Sequence, residues 1–323
     1  MEGLSSGLAS PITSLVAQKR TLGYPYRQSA AHLKAFDQMC ADRFPGEKAL
    51  TREMTQEWTR LRPGEHPNGL MRRVTPVRQL GKHMAALGMR AHLIPPGVPG
   101  GRSRYVPRVF TKPELRAFFS AVDRCPQPFG GIGWRDMVAP ALFRVMYCLA
   151  LRPSEARNLA ASDVDAAAGR LLVRESKGHK DRIVHMSEDL SAHCRGYDQQ
   201  MSKLCPNRSV YFPNPSGERY SSATIDTWFH EFWDPACGGA PRVGPSARPY
   251  DLRHTAVVNL IGSWLRAGED VNAMIPYLAA HLGHANYDDT YYYFHLVPEQ
   301  FGLFRQIADA ARGPRYPQAV DHA

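Results

Sequence analysis

RLLVRESKGHKDRIVH, residues 170–185, holds two short runs typical of β-strands, Arg170–Val173 and Arg182–His185. The connector between them, residues 176–181, contains Gly178 and is rich in turn-forming residues, which is the signature of a β-hairpin. Much of the chain on either side has apolar residues at helical spacing. The sequence therefore predicts a mainly α protein whose small antiparallel β-sheet belongs to an α+β domain.

Helical patterns surround this hairpin. Upstream, Thr111 is followed three residues later by Glu114, with a proline between them, which is the pattern of a capped helix start. Apolar helices are then predicted over residues 137–151 and from Pro153 onward. Downstream, the apolar spacing predicts helices over residues 188–203, 221–233, 250–267, 271–281 and 287–295.

The N-terminal third is predicted to be a separate, all-α domain. Its apolar residues are spaced for helices over residues 29–40, 51–61 and 68–87. Residues 93–108, LIPPGVPGGRSRYVPR, are too rich in proline and glycine for a helix or a central strand, so they predict an interdomain linker. The resulting plan has a helical domain, a basic linker, an α+β domain and a C-terminal tail, at residues 1–92, 93–108, 109–305 and 306–323.

Length and composition exclude several classes of protein. The 323 residues suffice for two domains with their own cores. No apolar run reaches the ~18 residues of a membrane span, and the N-terminal residues lack the pattern of a signal peptide. The 6 cysteines include no Cys-x-x-Cys pair, which favours a reducing cytoplasm over a disulfide framework or a zinc site. We therefore expect a cytoplasmic protein with no metal and no cofactor.

Positive charge is concentrated in the N-terminal third. Residues 1–105 carry 16 Lys and Arg against 7 Asp and Glu, although the whole chain has a net charge of only +10. Such an excess indicates a polyanionic partner, most often a nucleic acid, but a solvated protein face would look the same. Candidates for contacts with a DNA backbone lie in the helix at 68–87 and in the linker: Arg72, Arg73, Arg78, Lys82, Arg102 and Arg104.

Four separated segments carry groups suited to phosphate chemistry: 151–155 (LRPSE), the hairpin with Lys177, 250–254 (YDLRH) and 282–295 (LGHANYDDTYYYFH). Cleaving a phosphodiester without a metal requires cations at the non-bridging oxygens, and the planar fork of arginine donates two parallel hydrogen bonds to them. A tyrosine hydroxyl can attack in line, and a lysine can protonate the departing 5′-oxygen. Each segment alone is compatible with an ordinary ion pair, turn or core helix, whereas the combination predicts a DNA-cleaving site.

In this order the segments resemble the tyrosine recombinase (phage integrase) family over roughly residues 108–300. A-L-R-P-S-E at 150–155 matches the family pattern G-L-R-x-S-E, and S-K-G-H-K-D-R-I-V-H at 176–185 resembles its x-K-G-x-K-x-R-x-V-P hairpin. Y-D-L-R-H-T at 250–255 corresponds to H-x-L-R-H-T, and L-G-H is followed at the expected offset by Tyr293. All four motifs together are far more specific than any one of them.

The resemblance implies a role for each matched residue. Arg152 and Arg253 would clamp the scissile phosphate, Lys177 would be the general acid and Tyr293 would be the nucleophile. Lys180 is an alternative to Lys177, and the two preceding tyrosines are alternatives to Tyr293. The remaining matches are His284 as a phosphate contact, Glu155 and His295 as supporting residues, and Thr290, which also falls in register.

The sequence departs from the family at Tyr250, where a histidine is usual. Tyrosine can still donate one hydrogen bond, but its unperturbed pKa of about 10 makes it a poor base at neutral pH. We expect Tyr250 to contact the phosphate and activity to persist, with proton handling shifted to His284 or to water.

The resemblance also implies a function and partners. The protein is expected to be a site-specific recombinase that cleaves and rejoins duplex DNA through a 3′-phosphotyrosine, with residues 1–92 as the core-binding domain and 109–305 as the catalytic domain. It would act as a tetramer on specific DNA sites in the bacterial cytoplasm or nucleoid, in integration, transposition, cassette capture or chromosome-dimer resolution. Residues 298–323 would dock on a neighbouring protomer or on their own domain. A type IB topoisomerase, a telomere resolvase and a catalytically impaired DNA-binding relative are alternatives.

Overall fold

The structure, a computed structural model, describes residues 3–100, 106–125, 134–174, 181–238 and 245–296. The chain separates into two compact units, Met1–Tyr105 and Val106–Ala323. Both units are built mainly of α-helices, and the second also contains a small antiparallel sheet, so the expected fold class is confirmed. Every helix within these ranges is too short or too polar to cross a membrane.

The N-terminal unit is a group of helices around one apolar core. The described helices are α1 (Ala9–Thr21), α2 (Arg27–Arg43), α3 (Arg52–Thr59) and α4 (Pro67–Ala86). Ile12, Phe36, Trp58 and Val77, one from each helix, are buried together. The last three helices confirm those predicted from the sequence, whereas α1 is a helix that the sequence analysis did not anticipate.

The second unit contains most of the described helices, and the first of them begins with the cap that the sequence predicts. Thr111 and Glu114 form a reciprocal capping box at its start, which confirms the helix start predicted there. The described helices are α5 (Lys112–Asp123), α6 (Trp134–Cys148), α7 (Pro153–Asn158), α8 (Glu188–Leu204), α9 (Ser222–Cys237), α10 (Asp251–Ala267), α11 (Val271–Leu282) and α12 (Asp288–Tyr291). The helix predicted at 287–295 is divided into α12 and a 3₁₀ turn at Tyr292–Leu296.

The sheet of the second unit has the strand order β1-β2-β3, with β1 at Val164–Asp165, β2 at Arg170–Val173 and β3 at Arg182–His185. β2 and β3 are antiparallel, with Leu171 opposite Val184, which confirms both predicted strands of the hairpin. The connector at 175–180 lies outside the described residues. β1 was not predicted, because two residues are too few to show an alternating pattern.

An aromatic group forms the centre of the larger apolar core in the second unit. Phe229 of α9 is fully buried, and its ring lies 5.1 Å from that of Phe118, 5.5 Å from that of Trp233 and 6.2 Å from that of Phe143, between centroids. These contacts join α5, α6 and α9 and so position α6, after which the segment at 151–155 begins.

A smaller apolar cluster brings together segments that lie far apart in the sequence. It contains Ala150 after α6, Ile261 of α10, Leu282 at the end of α11 and Tyr293 of the final turn. Burial of these side chains therefore places three of the four motif segments beside one another, because apolar surface is removed from water only when the segments meet.

We expect Phe229→Ala to lower the free energy of unfolding by about 3–5 kcal/mol, because it empties the centre of the aromatic group. Tyr277→Ala is the control, since Tyr277 is 74% exposed on α11 and its loss should change stability by no more than about 0.5 kcal/mol. Urea unfolding followed by tryptophan fluorescence measures both. Equal effects of the two substitutions would contradict the placement of Phe229 in the core.

Candidate active site

Arg152 lies at the start of α7, where a short turn leaves the end of α6. Ala150 in that turn has a left-handed backbone, with φ of 49°, which lets the chain reverse direction before Arg152. The backbone N–H of Arg152 donates to Glu155 Oε2 at 2.9 Å, and its Nη1 donates to Glu155 Oε1 at 2.6 Å. Both the backbone and the guanidinium of Arg152 are thus held by one carboxylate.

Glu155 is a buried carboxylate that binds arginines from three segments. Besides Arg152, it accepts two hydrogen bonds of 3.0 Å from Arg182 of β3, and Arg253 of α10 lies 3.6 Å away. Burial alone would raise the pKa of Glu155, but the hydrogen bonds and charges of Arg182 and Arg152 outweigh it and hold the pKa below its usual range. Glu155 therefore remains ionised and links the motifs.

Arg253 is fully buried, and the protein itself surrounds its guanidinium with acceptors. Nη1 donates to the carbonyl of Ala150 at 2.7 Å, and Nη2 donates to the carbonyl of Leu282 at 2.8 Å. Burial lowers the pKa of Arg253, yet an arginine remains protonated at neutral pH in such surroundings. Among the described residues its Nε–H has no acceptor, so one donor stays unsatisfied in the centre of the site.

His284 is held against Arg253 in one tautomer. Gly283 adopts a left-handed conformation that ends α11, and it turns His284 back towards α10. Nη2 of Arg253 lies 3.2 Å from Nε2 of His284, and Nδ1 lies 2.8 Å from the hydroxyl of Thr290, which is fully buried. Because arginine can only donate, Nε2 is the acceptor and Nδ1 carries the proton.

Tyr293 is the member of the three consecutive tyrosines that faces the arginines. Its side chain is buried and its hydroxyl lies beside the guanidinium of Arg253, whereas Tyr291 is 42% exposed. The ring stacks parallel to that of His284, with 6.4 Å between centroids. Burial raises the pKa of Tyr293, and the charge of Arg253 opposes part of that rise. The phenol is therefore protonated at neutral pH in this state.

Tyr250 and His254 complete the described site. The hydroxyl of Tyr250 lies close to the side chain of Arg152. His254, one turn along α10, lies with its ring 4.8 Å from that of Tyr250 and 5.6 Å from that of Tyr293. Burial, together with the charges of Arg253 and Arg248, lowers the pKa of His254 to about 3, so this histidine is neutral.

The remaining predicted residues are either outside the described part of the chain or at its surface. Lys177 lies outside the described residues, as does the alternative Lys180. His295 is exposed on the turn at Tyr292–Leu296. Two contributors were missed from the sequence, Arg182 and His254. Arg182 could have been noticed as the arginine of the K-x-R pattern in the hairpin, but its partner Glu155 lies 27 positions away.

The structure corrects the expectation for one basic residue of the N-terminal unit. Arg73 is buried, and its guanidinium binds both carboxylate oxygens of Glu65, at 2.7 and 2.8 Å, and the backbone carbonyls of Trp58 and Arg60. These acceptors occupy its donors, so Arg73 holds α3 to α4 and is withdrawn from the proposed DNA contacts.

The other candidate DNA contacts differ in exposure. Arg72 and Lys82 are exposed on α4. Arg78 is half-buried and donates to backbone carbonyls of the following segment, including that of Val98. Arg102 and Arg104 lie outside the described residues.

Known proteins share this sequence and architecture. Residues 108–300 match the model of the phage integrase family. The integrase/recombinase y4rE of Sinorhizobium fredii (strain NBRC 101917 / NGR234) is 28% identical over 296 residues, which cover 91% of this chain and 93% of that protein. Tyrosine recombinase XerA of Thermococcus kodakarensis (strain ATCC BAA-918 / JCM 12380 / KOD1) is 27% identical over 207 residues, which cover 64% of this chain and 63% of that protein.

A solved structure shows the same fold. The crystal structure of the XerH site-specific recombinase bound to palindromic difH substrate, in a post-cleavage complex, aligns with a TM-score of 0.65 and 16% identity, and covers 87% of this chain and 79% of that chain. Because the family model spans more than half of the sequence, the protein belongs to the phage integrase family, a family of DNA strand transferases. The family expected from the four motifs is confirmed.

We expect Glu155→Gln to destabilise the protein in a pH-dependent manner. Since folding holds the pKa of Glu155 below its unfolded value of about 4.3, its ion pairs stabilise the fold above that pH and are lost as the pH falls through the lower folded value. The variant should lose about 3–5 kcal/mol at neutral pH, and the difference from wild type should shrink below a pH of about 4.

Urea unfolding at a series of pH values measures this difference. Glu188→Gln is the control, because Glu188 also binds an arginine, Arg195 at 2.7 Å, but is 83% exposed and should contribute about 0–1 kcal/mol. A difference between wild type and Glu155→Gln that stays constant from neutral to acidic pH would show that the buried ion pairs are not its source.

We also expect Thr290→Val to disturb the tautomer of His284, because the protonated Nδ1 loses its acceptor while the volume of the side chain is kept. Thr290→Ser retains the hydroxyl and should leave the tautomer unchanged. The ¹⁵N chemical shifts of the imidazole distinguish the two forms directly. An unaltered Nδ1–H tautomer in Thr290→Val would mean that the hydroxyl of Thr290 does not determine the tautomer.

Proposed function

We propose that the protein is a tyrosine-type site-specific DNA recombinase that cleaves and rejoins duplex DNA through a covalent bond between Tyr293 and a 3′-phosphate. The observation that carries this proposal is that Arg152 and Arg253 meet at one buried carboxylate, Glu155, while His284 and Tyr293 lie against Arg253. These groups come from four separate elements of the fold, and each suits one requirement of phosphoryl transfer.

The cationic groups suit the transferring phosphate. Three guanidinium groups, those of Arg152, Arg182 and Arg253, surround the single carboxylate of Glu155, so the cluster keeps an excess of positive charge for an anionic substrate. The Nε–H of Arg253 has no acceptor among the described residues, and a phosphate oxygen would supply one. Charge that develops on the non-bridging oxygens is then stabilised by donors that are already in place.

The proposed chemical step uses these groups together with Lys177, whose role is implied by the resemblance of the hairpin motif. The phenolic oxygen of Tyr293 forms a bond to phosphorus, and the bond from phosphorus to the 5′-oxygen breaks. Lys177 gives a proton to the departing 5′-oxygen, and the phenolic proton passes to His284 or to water. In the reverse step a 5′-hydroxyl from another strand attacks the phosphotyrosine. The energy of the broken bond is retained in that link, so rejoining needs neither ATP nor a metal ion.

DNA binding is proposed to involve both units. Arg72 and Lys82, which are exposed on α4, and the linker residues Arg102 and Arg104 would contact the phosphate backbone, with Arg78 as a contributor beside the linker. Four protomers would assemble on paired sites, in the cytoplasm or nucleoid where bacterial DNA is found. His295 would support the phosphotyrosine from the final turn, and residues 298–323 would dock on a neighbouring protomer.

The recombinase interpretation is favoured over a catalytically impaired relative. A protein that only binds DNA needs surface cations but not a tyrosine hydroxyl buried against an arginine. The replacement at Tyr250 keeps a hydroxyl close to the side chain of Arg152, so a hydrogen-bond donor remains beside the clamp.

We expect Tyr293→Phe to abolish the covalent DNA adduct, because no other atom can replace the phenolic oxygen. The cleavage site is first selected from a random pool of duplexes, as the DNA that stays covalently attached to wild-type protein in SDS. The substrate is a nicked duplex that carries the selected sequence. Tyr291→Phe and Tyr292→Phe, at the two preceding residues, are matched controls and should form adducts at a rate within about 10-fold of wild type. Adducts are counted by their shifted migration in a denaturing gel, and an adduct from Tyr293→Phe would remove this tyrosine from the proposed role.

A further inference from the structure

Arg182 belongs to the site but is not one of the two arginines proposed to bind the scissile phosphate. It is the first residue of β3, and its side chain is only 9% exposed. Nη1 and Nη2 donate to the two oxygens of Glu155, each at 3.0 Å, and Nε donates to the backbone carbonyl of His281 at 2.6 Å. All three guanidinium nitrogens of this arginine therefore donate inside the protein, and these bonds hold the side chain in one orientation.

The acceptors of Arg182 belong to two different catalytic segments. Glu155 holds the backbone and the guanidinium of Arg152 on α7. His281 lies on the last turn of α11, which leads to His284. The next residue, Leu282, accepts a hydrogen bond from Arg253 through its backbone carbonyl. The guanidinium of Arg182 thus links the segment that contains Arg152 to the end of α11, which in turn holds Arg253.

Charge gives a reason for this arrangement. A buried carboxylate at Glu155 attracts both Arg152 and Arg253, at 2.6 and 3.6 Å, and would compete with a phosphate for them. The bidentate contact with Arg182 is the geometry in which an arginine satisfies a carboxylate most fully. With Glu155 neutralised in this way, the positive charge of the other two guanidinium groups is left for the substrate.

We propose that Arg182 is a positioning residue for DNA cleavage, which keeps Arg152 and Arg253 directed at the scissile phosphate by holding Glu155 and the backbone at His281. This inference rests on the proposed function, since it assumes that the two arginines bind that phosphate. Arg182 itself does not touch the DNA.

The chain offers a matched control in the same hairpin. Arg174 follows β2, and its Nε and Nη2 donate to the two oxygens of Asp163, each at 2.7 Å. Asp163 is as buried as Glu155, with side-chain exposures of 4% and 5%. However, Asp163 lies on the 3₁₀ turn Ala161–Asp163, and among the described residues its side-chain bonds go to Arg174 and not to Arg152 or Arg253. Loss of Arg174, whose own side chain is 59% exposed, removes a bidentate ion pair to an equally buried carboxylate without releasing the clamp.

The first measurement is the single-turnover rate of adduct formation on the nicked duplex at saturating DNA. Arg182→Gln should slow this rate by roughly 10- to 100-fold, as is typical when a group that orients a functional residue is lost. Its dissociation constant for the duplex should stay within about 3-fold of wild type, because Arg182 does not contact DNA. Arg182→Lys keeps the charge but not the fork, so it should recover part of the rate, and Arg174→Gln should remain within about 3-fold of wild type.

The second measurement separates positioning from a general loss of structure. A duplex with a methylphosphonate at the cleaved position lacks the negative charge that the arginines neutralise. If Arg182 acts through the clamp, the ratio of wild-type to Arg182→Gln rates should fall at least about 5-fold on this duplex relative to the ordinary phosphate. A variant with a damaged fold would be slowed equally on both substrates. Lys177→Ala serves as a comparison, because its defect concerns the leaving oxygen and should persist on the methylphosphonate.

The possible results are distinguishable. Wild-type protein that forms no adduct on any duplex overturns the proposed function itself. An active wild type with Arg182→Gln of equal rate overturns only the role of Arg182. Equal slowing of Arg182→Gln on both substrates, or equal slowing of Arg182→Gln and Arg174→Gln, also overturns it, since either result assigns the effect to stability. Slowing of Arg182→Gln alone, reduced on the methylphosphonate, supports the proposal.

Discussion

The carboxylate of Glu155 is the interaction on which the site depends. It is 5% exposed, and three arginines from α7, β3 and α10 converge on it. A buried charge is costly unless its partners satisfy it, and like charges brought together repel one another. A single anion among three cations removes much of this repulsion while leaving a net positive site. The fold can therefore hold Arg152 and Arg253 close together before any DNA arrives.

The apolar clusters make this ionic arrangement possible. The aromatic group around Phe229 positions α6, and the cluster of Ala150, Ile261, Leu282 and Tyr293 draws the final turn against α10. The carbonyls of Ala150 and Leu282 are then aimed at the guanidinium of Arg253. The lowered pKa of Arg253 and the raised pKa of Tyr293 have the same cause, because both groups are buried where water is excluded.

Local patterns in the sequence predicted much of the fold. The hairpin strands, the capping box at Thr111 and the helices α8 to α11 were predicted because turn residues, caps and apolar spacing act over a few positions. β1 was too short to be recognised, and α1 was overlooked although Ile12, Leu15 and Val16 have helical spacing.

The site was predictable where the family motifs define it, and less so where contacts cross the chain. The motifs selected Arg152, Arg253 and Tyr293, which the fold brings together. Arg73 was assigned to DNA because basic residues between apolar positions look alike on a helix, and only the structure shows that Glu65 turns this one inward. Arg182 was missed because nothing local in the hairpin shows that its side chain reaches Glu155, 27 positions away in the sequence. The most direct test is a crystal structure with DNA in which vanadate replaces the scissile phosphate. The account predicts vanadium bonded to the Tyr293 oxygen, with both Arg152 and Arg253 donating to its equatorial oxygens; vanadate bound elsewhere, or either arginine turned away from it, would contradict the account.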